Sequence, residues 1–223
     1  MSKLSLTEEN YLKTIYMLTE RSEAVHNQSI AQALQNTPAS VSDMLKKLTK
    51  KGLIQHEPYK PIQLTSKGRE IAINIVRKHR LWETFLVKCL GFTWEQIHPI
   101  AEQLEHIESD LLISRLDEYL GYPKYDPHGD PIPSPNGDFQ PVEGFPLSQA
   151  PTGKKLKVVA VKNDKKDFLN YLNKINLFIG SHIYVIDRIS FDLSIEVDIN
   201  NKVLNLSHLI ASQIIVNHED NIQ

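Results

Sequence analysis

Residues 27–68 read NQSIAQALQNTPASVSDMLKKLTKKGLIQHEPYKPIQLTSKG, and their punctuation decides the fold. A short helix over 27–34 turns Ile30, Ala31 and Leu34 to one side. The break QNTPAS follows it. Pro38 then opens a further helix, where its missing amide proton costs nothing. That helix carries Val41, Met44, Leu45 and Leu48 at the spacing of a buried face, and Gly52 is expected to end it. The apolar stretches Leu53-Ile54 and 62–64 flank EPYKP and predict a small two-stranded wing. Upstream, Thr7 is expected to cap a helix over 8–20 whose inner face is Leu12, Ile15, Tyr16, Leu18 and Thr19. Helix, helix, short turn, helix, wing is the order of a winged helix-turn-helix.

Such a segment suits a polyanion. Residues 38–69 hold seven Lys/Arg against Asp43 and Glu57, a difference of +5. On and around the third helix, Thr37, Ser40, Ser42 and Asp43 offer short polar groups near its N-terminus. Lys46, Lys47 and Lys50 offer phosphate contacts along its outer surface. Lys60 at the wing tip is expected to reach another phosphate, and Asn27 and Gln28 flank the same surface from the second helix. Arginine is absent between Arg21 and Arg69, so no bidentate guanine reader is evident. Specificity then leans on small contacts and on DNA shape. A winged helix that binds protein instead is the competing reading.

The rest of the chain has the opposite charge. Residues 95–130 hold nine acids against Arg115 and Lys124, a difference of −7. The whole chain of 223 residues therefore nets only −2, a cancellation rather than neutrality. Apolar residues at 41% and charged residues at 23% are those of an ordinary globular protein. One cysteine, Cys89, excludes an internal disulfide and a thiolate metal cage. No apolar run reaches membrane-spanning length, and the N-terminus lacks a signal-peptide core. A cytoplasmic location with no membrane partner is expected.

Residues 121–151 hold eight of the twelve prolines, so they form neither a helix nor a central strand. Beyond them LKVVAVK, HIYVIDRI and LSIEVDI alternate β-branched and polar residues and predict strands, with one short helix over 164–174. The domain reading is 1–72 winged helix, 73–140 helical domain, 141–153 proline-rich linker and 154–223 strand-rich domain.

Between the wing and the linker lie rows of histidines and carboxylates. A long helix from Thr65-Ser66 to about residue 90 places His79 and Glu83 one turn apart. A helix starting near Thr93, with Pro99 in its early part, is expected to carry His98, Glu102, Glu105 and His106 along one stripe. Imidazoles and carboxylates so grouped repel and desolvate poorly in a core, whereas a divalent cation neutralises the acids and uses the imidazoles. DPHGD adds His128 between acids on a constrained loop. His26, His56, His182, His208 and His218 stand alone and are read as structural, and Cys89 as a packing residue. An open two-His-one-carboxylate enzyme site is a competing class. It lacks a separate general base, a nucleophile elbow and a phosphate loop, and no small organic substrate is expected. A metal-independent DNA-binding protein with an interaction domain is another.

ENYLKTIYML, IAQALQNTPASVSDMLKKLTKKGLI, LTSKGREIA, RKHRLWETFL, the stripe from His98 to His106 and PHGDPIP together resemble the diphtheria-toxin-repressor family of metal-dependent transcriptional regulators, over nearly the whole chain. The resemblance implies a mainly α fold with small β elements. In it a winged helix-turn-helix precedes a helical dimerisation domain and a C-terminal SH3-like (FeoA-like) β-barrel. It implies a non-enzymatic repressor of metal-uptake genes that binds palindromic operator DNA as a metal-loaded homodimer. Carried over by position, a principal metal site takes Asn10, Glu102, Glu105 and His106. A second takes His79, Glu83 and His98, and Asp126, His128 and Asp164 are further candidates. The iron-responsive branch has Cys and Met where this chain has Glu102 and Asn10. The manganese branch has Asp and Glu where this chain has Asn10 and Lys13. A donor set of oxygen and imidazole without sulfur favours Mn²⁺, with Fe²⁺ the alternative and Zn²⁺, Co²⁺ or Cd²⁺ able to bind in the test tube.

Overall fold

Ser5, not Thr7, starts the first helix. Its hydroxyl accepts from the Glu8 amide at 3.3 Å while Glu8 Oε2 accepts from the Ser5 amide at 2.8 Å. This reciprocal capping box satisfies two otherwise orphaned donors, which a cap at Thr7 does not. The computed structural model describes residues 4–21, 24–57 and 60–218. Helix α1 (Leu6–Glu20), α2 (Asn27–Leu34) and α3 (Pro38–Lys50) follow the expected order. Thr37 caps α3 by accepting from the Ser40 amide at 3.2 Å, with Pro38 in its first turn. Strands β1 (Ile54–Gln55) and β2 (Gln63–Leu64) pair antiparallel, Ile54 opposite Leu64. Residues 58–59 of the expected wing tip lie outside the described residues.

Helix α4 (Ser66–Leu90), α5 (Trp94–Leu104) and α6 (Asp110–Tyr119) come next. Helix α5 ends two residues earlier than the histidine-and-carboxylate stripe requires. The Ile107 amide closes on the Leu104 carbonyl at 3.1 Å, an i,i+3 bond that tightens the last turn. Glu105 and His106 therefore sit in the turn beyond the helix. Cys89 is exposed in the last turn of α4, not packed as expected.

The C-terminal region builds an antiparallel six-stranded sheet in the order β3-β8-β4-β5-β6-β7. Its strands are β3 (Phe145–Pro146), β4 (Lys155–Val161), β5 (His182–Arg188), β6 (Ile195–Ile199), β7 (Lys202–Leu206) and β8 (Ile214–His218). Helix α7 (Lys166–Lys174) begins two residues after Asp164, which lies exposed on the preceding loop. A short α8 (His208–Ala211) precedes β8. Asn200 and Asn201, at φ 55° and 63°, make the two-residue turn between β6 and β7. Alternation buries Ile195, Val197 and Ile199 of β6 on one face. No described helix is long and apolar enough to cross a membrane.

The chain divides into two compact units. One comprises residues 1–79, 102–113 and 133–138, and the other 80–101, 114–132 and 139–223. The first is cored by Leu12, Ile15, Ile30, Val41, Leu45, Leu48 and Leu53, all buried. Within it, α4 starts hard against Leu53, the residue before β1. The Leu53 carbonyl accepts from the Thr65 amide at 3.0 Å, and a Cβ on Gly68 would stand 2.0 Å from that same carbonyl oxygen. Gly68→Ala is therefore expected to push α4 off residue 53 and to destabilise the unit by about 1–3 kcal/mol. A thermal melt of the variant checks this, and an unchanged midpoint contradicts it.

Candidate metal centre and nucleic-acid interface

The candidate DNA surface is more internally paired than its sequence suggests. Gln28, Thr37, Ser40, Asp43, Lys46, Lys47 and Lys50 are exposed, and Ser42 is half-buried. Asn27 Nδ2 donates to Ser42 Oγ at 2.8 Å and to the Pro38 carbonyl at 3.2 Å. It thus fastens α2 to the start of α3. Lys46 pairs with Asp43 at 3.0 Å and Lys60 with Glu57 at 2.6 Å, exposed pairs of small energetic weight. Lys47 is different: with Lys51 it converges on Glu8 Oε1, at 3.2 and 2.6 Å. Glu8 is 1% exposed. Burial works to raise its pKa, but the bonds from Lys51, the Ser5 amide and Lys47 outweigh it and bring the value down to about 2. An ionised Glu8 thereby ties α1 to α3 and its end.

The opposite end of that link is acidic. Glu105 is fully buried, with Oε2 2.5 Å from His79 Nδ1 and Oε1 2.7 Å from Lys13 Nζ. Lys13 Nζ also lies 3.6 Å from Glu102 Oε1. His106 meets Glu9 Oε2 through Nδ1 at 2.5 Å and faces Glu105 Oε1 through Nε2 at 3.7 Å. Burial works against the charge of Glu105, yet the His79 bond and the Lys13 ammonium hold its carboxyl below the usual range. Glu102, Glu105 and His106 thus share one neighbourhood with α1. The residue of α1 that touches His106 is Glu9, and Asn10 beside it is half-buried. No sequence motif singles out Glu9, although Glu9 and Lys13 stand at i and i+4 on one helical face.

A second group lies in the other unit. Glu83, Asp126 and His128 are all buried, with one ligand atom from each within 4.8 Å of the others. The two oxygens of Glu83 face different imidazoles: Oε1 is 3.3 Å from His98 Nδ1 and Oε2 3.7 Å from His128 Nδ1. Asp126 Oδ1 accepts from the amides of His128 and Asp130, at 2.8 and 2.9 Å, so DPHGD is a closed turn. Arg80 holds that turn from α4, its Nε 3.7 Å from Asp126 Oδ2 and its NH1 donating to the Pro131 carbonyl. Burial, then the charges of Asp130 and Glu83, push the Asp126 carboxyl up. Burial works to lower the His128 pKa, but the Glu83 bond and the Glu83 and Asp126 charges carry it to about 9. His128 Nε2 is buried without a hydrogen-bond partner. Its ring stacks on Trp94 at 5.9 Å and 11°. Trp94 in turn donates from Nε1 to Asn173 Oδ1 of α7 at 2.6 Å, a support that no sequence pattern announced.

Excess carboxylate, an unpartnered imidazole nitrogen and oxygen–nitrogen donors without sulfur fit a hard or borderline divalent cation. A winged helix bearing a cationic face, on a chain with such donor sets, defines the class of cation-responsive DNA-binding proteins. Family models agree. Residues 3–62 match the iron dependent repressor N-terminal DNA binding domain, 65–134 the iron dependent repressor metal binding and dimerisation domain, and 145–218 the FeoA domain. The chain is 34% identical over 166 residues to the iron-dependent repressor IdeR of Mycobacterium leprae, covering 71% of this chain and 72% of that one. A solved manganese-dependent transcriptional repressor in complex with manganese has a TM-score of 0.85 at 33% identity, covering 95% of this chain and 99% of the other. ScaR with bound Zn²⁺ has a TM-score of 0.78 at 35% identity, covering 95% and 99%. The chain belongs to the diphtheria-toxin-repressor family of metal-dependent transcriptional repressors. That membership sets aside the metalloenzyme reading.

Proposed function

We propose that the chain is a homodimeric repressor of metal-uptake genes that binds palindromic operator DNA when loaded with Mn²⁺, with Fe²⁺ the alternative ion. The observation that carries the metal assignment is the buried, sulfur-free group Glu83, Asp126 and His128 with its unpartnered imidazole nitrogen. Glu102, Glu105 and His106 are the second donor set, completed from α1 by Glu9 or by the Asn10 carbonyl oxygen. His98 supplements Glu83, and His79 orients Glu105. When bound, the ion supplies positive charge that neutralises these carboxylates and crosslinks the segments bearing them. Asp164 is left aside, being exposed on its loop.

The chain's own residues carry the signal to DNA. Glu102, Glu105 and His106 hold α1 through its Glu9–Lys13 face. One residue before that face, Glu8 grips Lys47 of the recognition helix and Lys51 at its end. The position of α3 thus depends on the grip exerted on α1. Two copies must present α3 to half-sites roughly 34–36 Å apart or a multiple of it, so a loosened α1 lowers the competent fraction and the DNA affinity with it. Leu90, Tyr119 and Tyr122 are exposed on or beside the segment matching the dimerisation domain and are offered as part of the apolar dimer surface.

A gel shift on DNA upstream of the chain's own gene and of nearby metal-transporter genes tests the reading. The shift is expected with Mn²⁺ present, lost in EDTA, and restored by Mn²⁺. A shift indifferent to EDTA establishes the metal-independent alternative.

A further inference from the structure

Lys13 occupies the place in the Glu105 cluster that a cation needs. Its ammonium lies 2.7 Å from Oε1 and 2.9 Å from Oε2 of Glu105, so it bridges both oxygens of one carboxylate, and it stands 3.6 Å from Glu102 Oε1. The Glu105 side chain is 0% exposed; His79 holds Oε2, and His106 Nε2 faces Oε1 at 3.7 Å. No solvent-facing side of this carboxylate is left for an incoming ion. The Lys13 side chain is itself 14% exposed. Its flexible four-carbon stem allows the ammonium to swing outward without moving α1.

We propose that Lys13 is a tethered counterion which Glu102 and Glu105 exchange for the divalent metal, and that this exchange sets the metal threshold of the protein. The inference rests on the metal reading above. Two consequences of opposite sign follow. In metal-free protein Lys13 neutralises the buried carboxylate and keeps α1 docked on residues 102–106. In metal binding it is a competitor, because two cations cannot share the Glu105 oxygens at this spacing. A purely structural lysine produces only the first effect.

Mn²⁺ titration calorimetry on the chelator-treated full chain separates them. Lys13→Met keeps the length of the stem and removes the charge. It is expected to bind Mn²⁺ about tenfold or more tightly than the wild type, since a repelling charge a few ångströms away is gone. Its melting temperature in chelator is expected to fall below that of the wild type, and the gap to close at saturating Mn²⁺. Lys13→Arg keeps the charge and forks onto a carboxylate more firmly than an ammonium does. It is expected to weaken Mn²⁺ binding by about threefold or more. It also serves as the test if Lys13→Met fails to fold without metal. Equal or weaker Mn²⁺ affinity in a folded Lys13→Met protein, or wild-type affinity in Lys13→Arg, overturns the inference. Glu105→Gln is the control that separates the two levels. If the wild type and Glu105→Gln bind the same number of Mn²⁺ ions with the same affinities, the assignment of Glu105 as a ligand falls, and the exchange falls with it. If Glu105→Gln loses one Mn²⁺-binding event of the wild type while Lys13→Met shows that event at wild-type affinity, the assignment stands and the exchange alone is refuted.

Discussion

Glu105→Gln is expected to abolish Mn²⁺-dependent operator binding while the homodimer persists. Glutamine matches glutamate in size, so the fully buried site keeps its volume and loses only its charge. What disappears is the carboxylate on which His79, Lys13 and the His106 ring converge. Outer-shell partners of a metal ligand cost roughly 10–100-fold in affinity when removed, and a residue in direct contact with the ion is expected to exceed that range. His106→Ala is expected to give the same phenotype, because it removes the imidazole and frees Glu9 from its partner. Sedimentation of both variants reports the dimer, and fluorescence anisotropy of labelled operator against Mn²⁺ reports the response. An operator complex that stays metal-dependent in both variants removes the basis of the mechanism.

Gly129→Ala is expected to damage the other cation group and the fold around it. Gly129 has a φ of +86°, and an added Cβ would stand 2.2 Å from the Val159 carbonyl oxygen and 2.6 Å from Ala160 Cα. Both obstacles are backbone of β4, so no side chain can rotate out of the way. The turn must lift, and it carries Asp126 and His128 with it. It is held down by the Val161 amide on the His128 carbonyl at 3.0 Å and by the Trp94 stack. Left-handed strain and overpacking together are expected to cost about 2–4 kcal/mol. The expected result is a lowered melting temperature and the loss of the ion that Glu83, Asp126 and His128 are proposed to hold, with Glu105-dependent Mn²⁺ binding retained. Elemental analysis of metal per chain beside calorimetry reads both. Unchanged metal content and stability would show that the loop does not rest on β4 as described.

Much of the fold was legible because its signals are local. The α3 helix announced itself through Thr37, Pro38 and the Val41–Leu48 periodicity, each acting within a few residues. The first cap lies two positions before the expected Thr7, because Ser5 and Thr7 both have the side chain of a cap. Only the reciprocal bond with Glu8 distinguishes them. Strands β7 and β8 are hard to read from pattern: KVLNL and IIVNH are short, β7 is marked only by the Asn200-Asn201 turn that joins it to β6, and β8 pairs with the distant β4. The stripe over 98–106 reads as continuous helix because the residues repeat at helical spacing. Periodicity does not register an i,i+3 closure at Leu104.

By itself, the sequence determined a winged helix with a basic recognition face, a following acidic and histidine-bearing region without sulfur, and a strand-rich end beyond a proline-rich stretch. Those features are functions of residue type and short spacing. Only the tertiary structure decided who meets whom. Glu105 reaches Lys13 across 92 positions and His106 reaches Glu9 across 97. No propensity or periodicity spans such a distance, since these contacts exist only once both segments pack on one core. The same packing turned Lys47 from a free phosphate ligand into a partner of Glu8, and placed an ammonium where the sequence had promised a place for a metal ion.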